Sequence, residues 1–474
     1  MQPLNEQLWK LLRSANPEQI DIALTRAEVQ GFDLSPWEKE YSELCNCVDV
    51  PTGGSVFHQI AAVYQSAEVK LSGRNLKTVP DVLRQLKNLT TLDLSKNTIS
   101  FLPDWIGEKV QLISINLAEN QIDNLPGSIG RLELLEYLDL SSNQLSKLPG
   151  SIFNLQRLKV LNLKYNNIQL IPDQIAQLNQ LVSLDLSGNP LQNLPTTLGD
   201  LQNLEEFYCS NVALTELPEA ICRLSALHTL ELKGNKLKTL PEFFGKLDRL
   251  TFLNLSENNL ESLPNSFGFL EQLTNLNLDT NALTILPDSF TGLVALRELQ
   301  LQDNQLVSLP ENFGSLLNLL ELYLERNKLE NLPDQITNLI KLRDLWLQSN
   351  QIKELPADIS KLKALEYLNL DNNPIERLPA AFYNLPNLKN LLLANSGIKE
   401  LSSKIYRMKL DELDISGTPY EENKSTGDEG STEEAEAEKK EENSENKFKD
   451  NGGCFGVLMT LLFVVIIFSV IRFI

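Results

Sequence analysis

The stretch LTTLDLSKNTISFLP, residues 89–103, decides how this chain folds. Leu92 and Leu94 alternate with Thr91, Asp93 and Ser95, the period of two expected of a short strand with one buried face. Asn97 follows, carrying amide donors and a carbonyl acceptor that can satisfy backbone groups where the chain turns out of the strand. Pro103, six residues on, helps to end that turn. The pattern LxxLxLxxNxLxxLP recurs every 23 residues, with asparagine at Asn97, Asn120, Asn143, Asn166, Asn189, Asn235, Asn258, Asn281, Asn304, Asn327, Asn350 and Asn373. Arg74, Val212 and Ser396 hold the same place, and Thr418 holds it after one unit shortened to 22 residues, giving sixteen units. Apolar residues such as Ile129 and Leu132, after Pro126, are expected to return the chain along the outer face as a helical or 3₁₀ segment. No unit can bury its leucines alone, so stability must come from stacking neighbours.

Written as LPxxIxxLxxLxxLxLxxN, the repeat resembles the intracellular leucine-rich repeat proteins of the Ras-suppressor and plant Ras-group type, and similar bacterial arrays. The resemblance covers roughly residues 67–420. It implies an α/β solenoid, a horseshoe with a parallel β-sheet on its concave face, acting as a scaffold or recognition module in signalling. It implies no reaction and names no partner.

Four regions are expected. Residues 1–66 lie outside the repeat and read as a short helical N-terminal region that covers the first unit's core, or alternatively as a separate interaction domain. Leu4, Leu8, Leu11 and Leu12 have helical spacing, Asn16 and Pro17 read as the N-cap and first residue of a second helix ending near Gly31, and Ser35, Pro36 and Glu38 open a third. Residues 421–453 form an acidic linker with two glycines, in which residues 421–450 carry a net charge near −7 and too few apolar side chains to fold. It reads as a solvated spacer, with an acidic docking tail as the alternative. Residues 454–474, CFGVLMTLLFVVIIFSVIRFI, are apolar on every face apart from Arg472. At about 1.5 Å per residue they reach roughly 31 Å, the thickness of a bilayer's hydrocarbon core. One C-terminal transmembrane helix, a tail anchor, is expected there.

Composition removes several functions. With 474 residues, a net charge of −21 and a pI near 4.7, the chain lacks the basic surface that nucleic acid requires. Five cysteines are too few for a disulfide scaffold, and Cys45 and Cys47 have no second pair with which to bind zinc. Cys209 stands at an inward leucine place and reads as a small buried hydrophobe. The first twenty residues hold Glu6, Lys10, Arg13 and Glu18 where a secretory signal needs an apolar run, so the repeats are expected to be cytoplasmic on a single-pass membrane protein. No GxxxxGK[ST] loop occurs, and His58 and His228 stand apart. No enzymatic activity, cofactor or metal is expected.

Residues two, four and six places before the asparagine position should face the concave solvent side. In the four units ending at Asn304, Asn327, Asn350 and Asn373 these include Glu298, Glu321, Tyr323, Glu325, Asp344, Trp346, Tyr367 and Asp371, with no basic residue among them. Tyr323 and Trp346 occupy equivalent places on adjacent strands, which reads as an exposed aromatic pair ringed by carboxylates and suited to a protein partner with a basic segment. The alternative is that these residues merely support one another across strands. A weaker patch combines Glu206, Tyr208, Glu231 and Phe252. The function expected is a membrane-tethered protein-binding scaffold or adaptor in signalling. Its alternatives are a receptor-like or effector-like recognition module facing outside the cytoplasm and a structural protein bridging membrane and cell architecture.

Overall fold

Each unit contributes one three-residue strand to a single sheet, and a computed structural model describes this architecture over residues 2–421, apart from residue 51. Two isolated short strands, β1 (Gln2–Pro3) and β2 (Phe32–Asp33), pair near the N-terminus. The sheet itself runs from β3 (Glu68–Lys70) to β18 (Glu412–Asp414), sixteen strands in sequence order. Neighbours are parallel and shift by one repeat. Among them, β13 (Glu298–Gln300), β14 (Glu321–Tyr323), β15 (Asp344–Trp346) and β16 (Tyr367–Asn369) place Tyr323 beside Trp346 and Asp344 beside Tyr367.

Leucines such as Leu322 and Leu324 point to the core and are fully buried. The outer side returns through 3₁₀ turns, such as Asp334–Asn338 after Pro333, each contributing a buried Ile, Leu or Phe. Five residues are too few to settle into an α-helix, and the tighter turn fits the short return path. Phe244, Phe267 and Phe290 take the same place in successive units, and their rings stack with centroids 6.0 and 6.1 Å apart. Gly245 and Gly268 let adjacent 3₁₀ turns approach so closely that a Cβ at either would strike the backbone of the next unit.

The asparagine column does the work expected of it. Asn304 Nδ2 donates to the carbonyls of Leu278, Leu301 and Gln302 at 2.9, 3.1 and 3.3 Å, and its Oδ1 accepts from the Leu283 amide at 3.0 Å. One side chain therefore ties two consecutive units together. The residue just before it takes left-handed backbone angles throughout the array, at glycines such as Gly188 (φ 67°) and also at Lys96 (55°), Tyr165 (52°) and Arg326 (53°). At the interruption, both Asn211 (φ 56°) and Ala213 (φ 64°) are left-handed on either side of Val212. Cys209 is fully buried there, and its carbonyl accepts from Asn235 at 2.8 Å.

One core position breaks the leucine pattern. Lys109 stands where neighbouring units have Leu86 and Leu132, and it is only 5% exposed. Its ammonium donates to the carbonyls of Arg84 and Leu86 at 2.7 and 2.6 Å, closing the end of the preceding 3₁₀ turn. Burial holds its pKa down to about 8.

The N-terminal region contains four helices: α1 (Glu6–Leu12), α2 (Pro17–Gln30), α3 (Ser35–Cys45) and α4 (Val56–Tyr64). Asn16 caps α2 by accepting from the Glu18 amide at 2.8 Å, and Gly31 ends it in the left-handed region at φ 67°. At α3, Leu34 rather than Ser35 is the N-cap, because Ser35 is held by Asp33, whose carboxylate accepts from both its amide and its hydroxyl. α4 goes beyond the sequence expectation, burying Ile60, Val63 and Tyr64. Leu12, Ile20, Trp37, Leu44, Ile60 and Val63 belong to the same core cluster as the first repeats. The linker after Glu421 and the transmembrane helix expected at 454–474 lie outside the described residues. Among the described residues no helix is long and apolar enough to cross a membrane.

Candidate functional site

On the polar face of the sheet, parallel strands about 4.8 Å apart bring each side chain against its counterparts one repeat away. Residues that alternate with the buried leucines are consequently half-buried, not free in solvent. This changes the exposed aromatic pair expected from sequence into a stack of three. The rings of Tyr323 and Trp346 lie 5.9 Å apart at 22°, and those of Trp346 and Tyr367 lie 4.2 Å apart at 27°. Tyr367 joins diagonally, since the residue directly opposite Trp346 is Asn369. Such offset stacking stabilises each ring pair by about 0.5–1.5 kcal/mol beyond area burial.

Carboxylates flank this stack. Glu298 accepts from Gln300 at 2.6 Å and from Asn275 at 2.7 Å, and Glu321 accepts from the Tyr323 hydroxyl at 2.9 Å. Burial, with Glu321 next to it, raises the pKa of Tyr323, and burial pushes Tyr367 up to about 12. Asp344 is raised by burial and then by the nearby negative charges of Glu321 and Glu366. Asp371 is raised by burial, although one of its oxygens accepts from the Ala394 amide at 2.6 Å. Glu325 departs furthest from expectation, being 8% exposed and raised by burial, while the adjacent Arg326 is drawn away into a two-point pair with Asp303.

The row two residues before the asparagine carries a feature that the sequence reading passed over. Over five consecutive units this row holds buried polar atoms without a hydrogen-bond partner: Ser256 Oγ and Asp279 Oδ1, then the acceptors Gln302 Oε1, Glu325 Oε2 and Gln348 Oε1 beside the ring stack. These glutamines stand in the same register as Glu325, so the alternation of the repeat places the row on the concave face, but its unmet hydrogen bonds depend on neighbouring strands and are not legible in the sequence. In the second patch, by contrast, Glu231 accepts from Ser210 at 3.2 Å and from Asn254 at 3.3 Å, and burial raises its pKa. Tyr208 is likewise raised by burial beside Glu206. Along the whole face, lysine appears among the described residues only as Lys70, Lys164 and Lys233. The face can thus accept hydrogen bonds, stack flat groups and attract positive charge.

Comparison with known proteins agrees with this architecture. Family models described as leucine rich repeat match residues 88–108, 133–191, 249–270 and 264–306, and one described as a leucine-rich repeat region matches residues 333–426. No curated protein sequence matches the chain. The solved leucine-rich repeat protein of Leptospira interrogans is 33% identical, with a TM-score of 0.66 over 74% of this chain and 96% of that one. The Arabidopsis receptor kinase HAESA, solved with the peptide hormone IDA and a co-receptor, is 26% identical with a TM-score of 0.59 over 79% of this chain and 68% of that one. A plant receptor solved with its peptide hormone is 25% identical with a TM-score of 0.53 over 72% of this chain, which spans 65% of that receptor's length. No enzymatic family is indicated. With its repeat register, sixteen-stranded parallel sheet and one-third identity over nearly the full length of the Leptospira protein, the chain belongs to the leucine-rich repeat proteins.

Proposed function

We propose that this protein is a membrane-tethered scaffold or adaptor in signalling, whose concave face captures a protein partner through a basic segment. The observation that carries the reading is the stack of Tyr323, Trp346 and Tyr367 on a face rich in carboxylates and poor in lysine. Aromatic residues offer large contact areas at low entropic cost, and surrounding carboxylates favour a cationic partner. That similar solved receptors are in complex with peptide hormones supports a protein or peptide as the partner. The resemblance to Ras-suppressor-type repeats supports a cytoplasmic location, and the apolar run at 454–474 supports the tether, which raises the local concentration of a captured partner.

Recovery of partners from lysate by the wild-type protein and by Tyr323→Ala/Trp346→Ala tests the surface. The double variant is expected to lose partners that the wild type retains, and an unchanged set would refute the assignment. The peptide receptors among the solved relatives favour a second reading, in which the repeats face outside the cytoplasm as a receptor-like module. Protease added to intact cells separates the two, since repeats on a cytoplasmic scaffold survive and those on an outward-facing module are cut.

A further inference from the structure

Within that proposed surface, and resting on it, we infer that Glu325, Gln302 and Gln348 together with the Tyr323–Trp346–Tyr367 stack form a receptor for the guanidinium group of an arginine side chain. The first observation is the unmet bonding of the floor. Glu325 is more than nine-tenths buried, yet Oε2 has no donor, and Gln302 Oε1 and Gln348 Oε1 on the strands to either side are in the same condition. A buried acceptor left without a donor costs on the order of 1–3 kcal/mol. Three in adjacent units therefore form a strip whose bonding improves when a donor arrives.

The second observation is the distance between this strip and the aromatic row. Trp346 and Gln348 are two residues apart on one strand segment, as are Tyr323 and Glu325, which sets the two rows roughly 6–7 Å apart. A planar group lying on the ring row can therefore turn its edge donors towards the oxygens of the next row. Arginine has the required form, since its guanidinium stacks on aromatic faces and carries five N–H donors in a rigid plane. Lysine supplies a strongly hydrated point charge with no plane to stack.

The third observation is that the described residues do not supply this donor. Arg326, the nearest arginine in sequence, bonds to Asp303 through both Nε and a terminal nitrogen at 2.5 and 2.6 Å. Glu325 is thus left without a paired cation of its own. The negative charges of Glu321, Asp344 and Asp371 around the stack favour a cation from outside.

The test uses the full chain in detergent and a fluorescein-labelled nine-residue peptide in which arginine recurs at every third position among glycines, with matched peptides carrying lysine or citrulline. Citrulline keeps the flat shape but loses the charge and two of the five N–H donors. Fluorescence anisotropy is expected to show the arginine peptide binding at least tenfold more tightly than either analogue. Glu325→Gln, which preserves shape, is expected to abolish most of that preference, whereas Glu68→Gln at the far end of the same face leaves it intact. Equal affinity for arginine and lysine peptides would overturn the guanidinium receptor while leaving the basic-partner surface standing. Equal affinity for all three peptides would overturn both. Thermal melting of Glu325→Gln serves as the folding control, and an arginine preference that persists in a folded Glu325→Gln protein would also overturn the assignment.

Discussion

The two ends of the concave face use the same register in opposite ways. Four residues before the asparagine position, the early units alternate Asp93, Asn116, Asp139, Asn162 and Asp185, and short or flexible residues follow two places later. Each of these side chains accepts from the backbone amide two residues on, at 2.8–3.1 Å, and Asn162 also donates to Asp139 at 3.2 Å. The polar surface there closes upon itself. From β13 to β16 the same places hold Gln300, Tyr323, Trp346 and Asn369, followed by Gln302, Glu325, Gln348 and Asp371. Ring stacking replaces the side-chain turn at Tyr323 and Trp346, while Asn369 still accepts from the Asp371 amide at 2.9 Å, and acceptors remain unmet. Two halves built from one repeat can therefore differ in surface chemistry without differing in fold, because the leucine and asparagine columns fix the backbone and leave alternate residues free.

The largest expected effect tests what the halves share. Asn143→Ala and Asn327→Ala should each cost about 3 kcal/mol or more, since each leaves several buried backbone groups without partners. Urea unfolding followed by circular dichroism should show similar losses, and a much smaller loss in one half would mean the column is not equally important along the array. Next comes the difference in recognition. Trp346→Ala should weaken a captured partner by roughly 30-fold, about 2 kcal/mol, whereas Tyr137→Ala in the self-satisfied half should change it less than threefold. Calorimetric titration with the recovered partner checks both.

Lys109 supplies a pH-dependent contrast within the early half. Its pKa is depressed to about 8 from an ordinary 10.5, so the unfolded chain binds more protons between these values and stability should rise as pH rises through that window. Below about 8 the full penalty of the buried charge is present. Lys109→Leu should therefore stabilise the protein at neutral pH by about 1–3 kcal/mol, an upper range set by 1.36 kcal/mol per pKa unit and reduced by the two lost carbonyl contacts. Melting curves at pH 7 and 10 should converge for wild type and variant at the higher pH. The smallest effect concerns Asp344, whose raised pKa means that its charged form weakens the fold and that stability returns as pH falls through the folded value. Asp344→Asn should raise stability near neutral pH by on the order of 0.5 kcal/mol, discounted for screening at a half-exposed site, and should weaken a basic partner.

Much of this architecture is legible in sequence because one period repeats sixteen times. Leu92, Leu94 and Asn97 disclose the strand and its turn, and their recurrence discloses the sheet. The cap at Asn16 and the stop at Gly31 are equally readable, since each rests on local backbone chemistry. What escapes is whatever depends on neighbouring strands. Tyr367 joins the aromatic stack through a diagonal contact that no single column reveals, and Glu325 becomes buried because strand spacing crowds side chains of similar length. Lys109 escapes for another reason: the surrounding leucine positions make the unit recognisable even where one is replaced.

The spacing between strands also acts as a vernier for any extended chain laid across them. An extended peptide advances about 3.3 Å per residue, while the sheet offers a new strand every 4.8 Å or so. Three residues of peptide, about 9.9 Å, nearly match two strand intervals, about 9.6 Å. A partner whose basic residues recur every third position would thus stay in phase with alternate strands from β14 to β16. One whose residues recur every second position would drift out of phase within a few steps. For the basic partner proposed above, motif spacing joins charge as a criterion of fit.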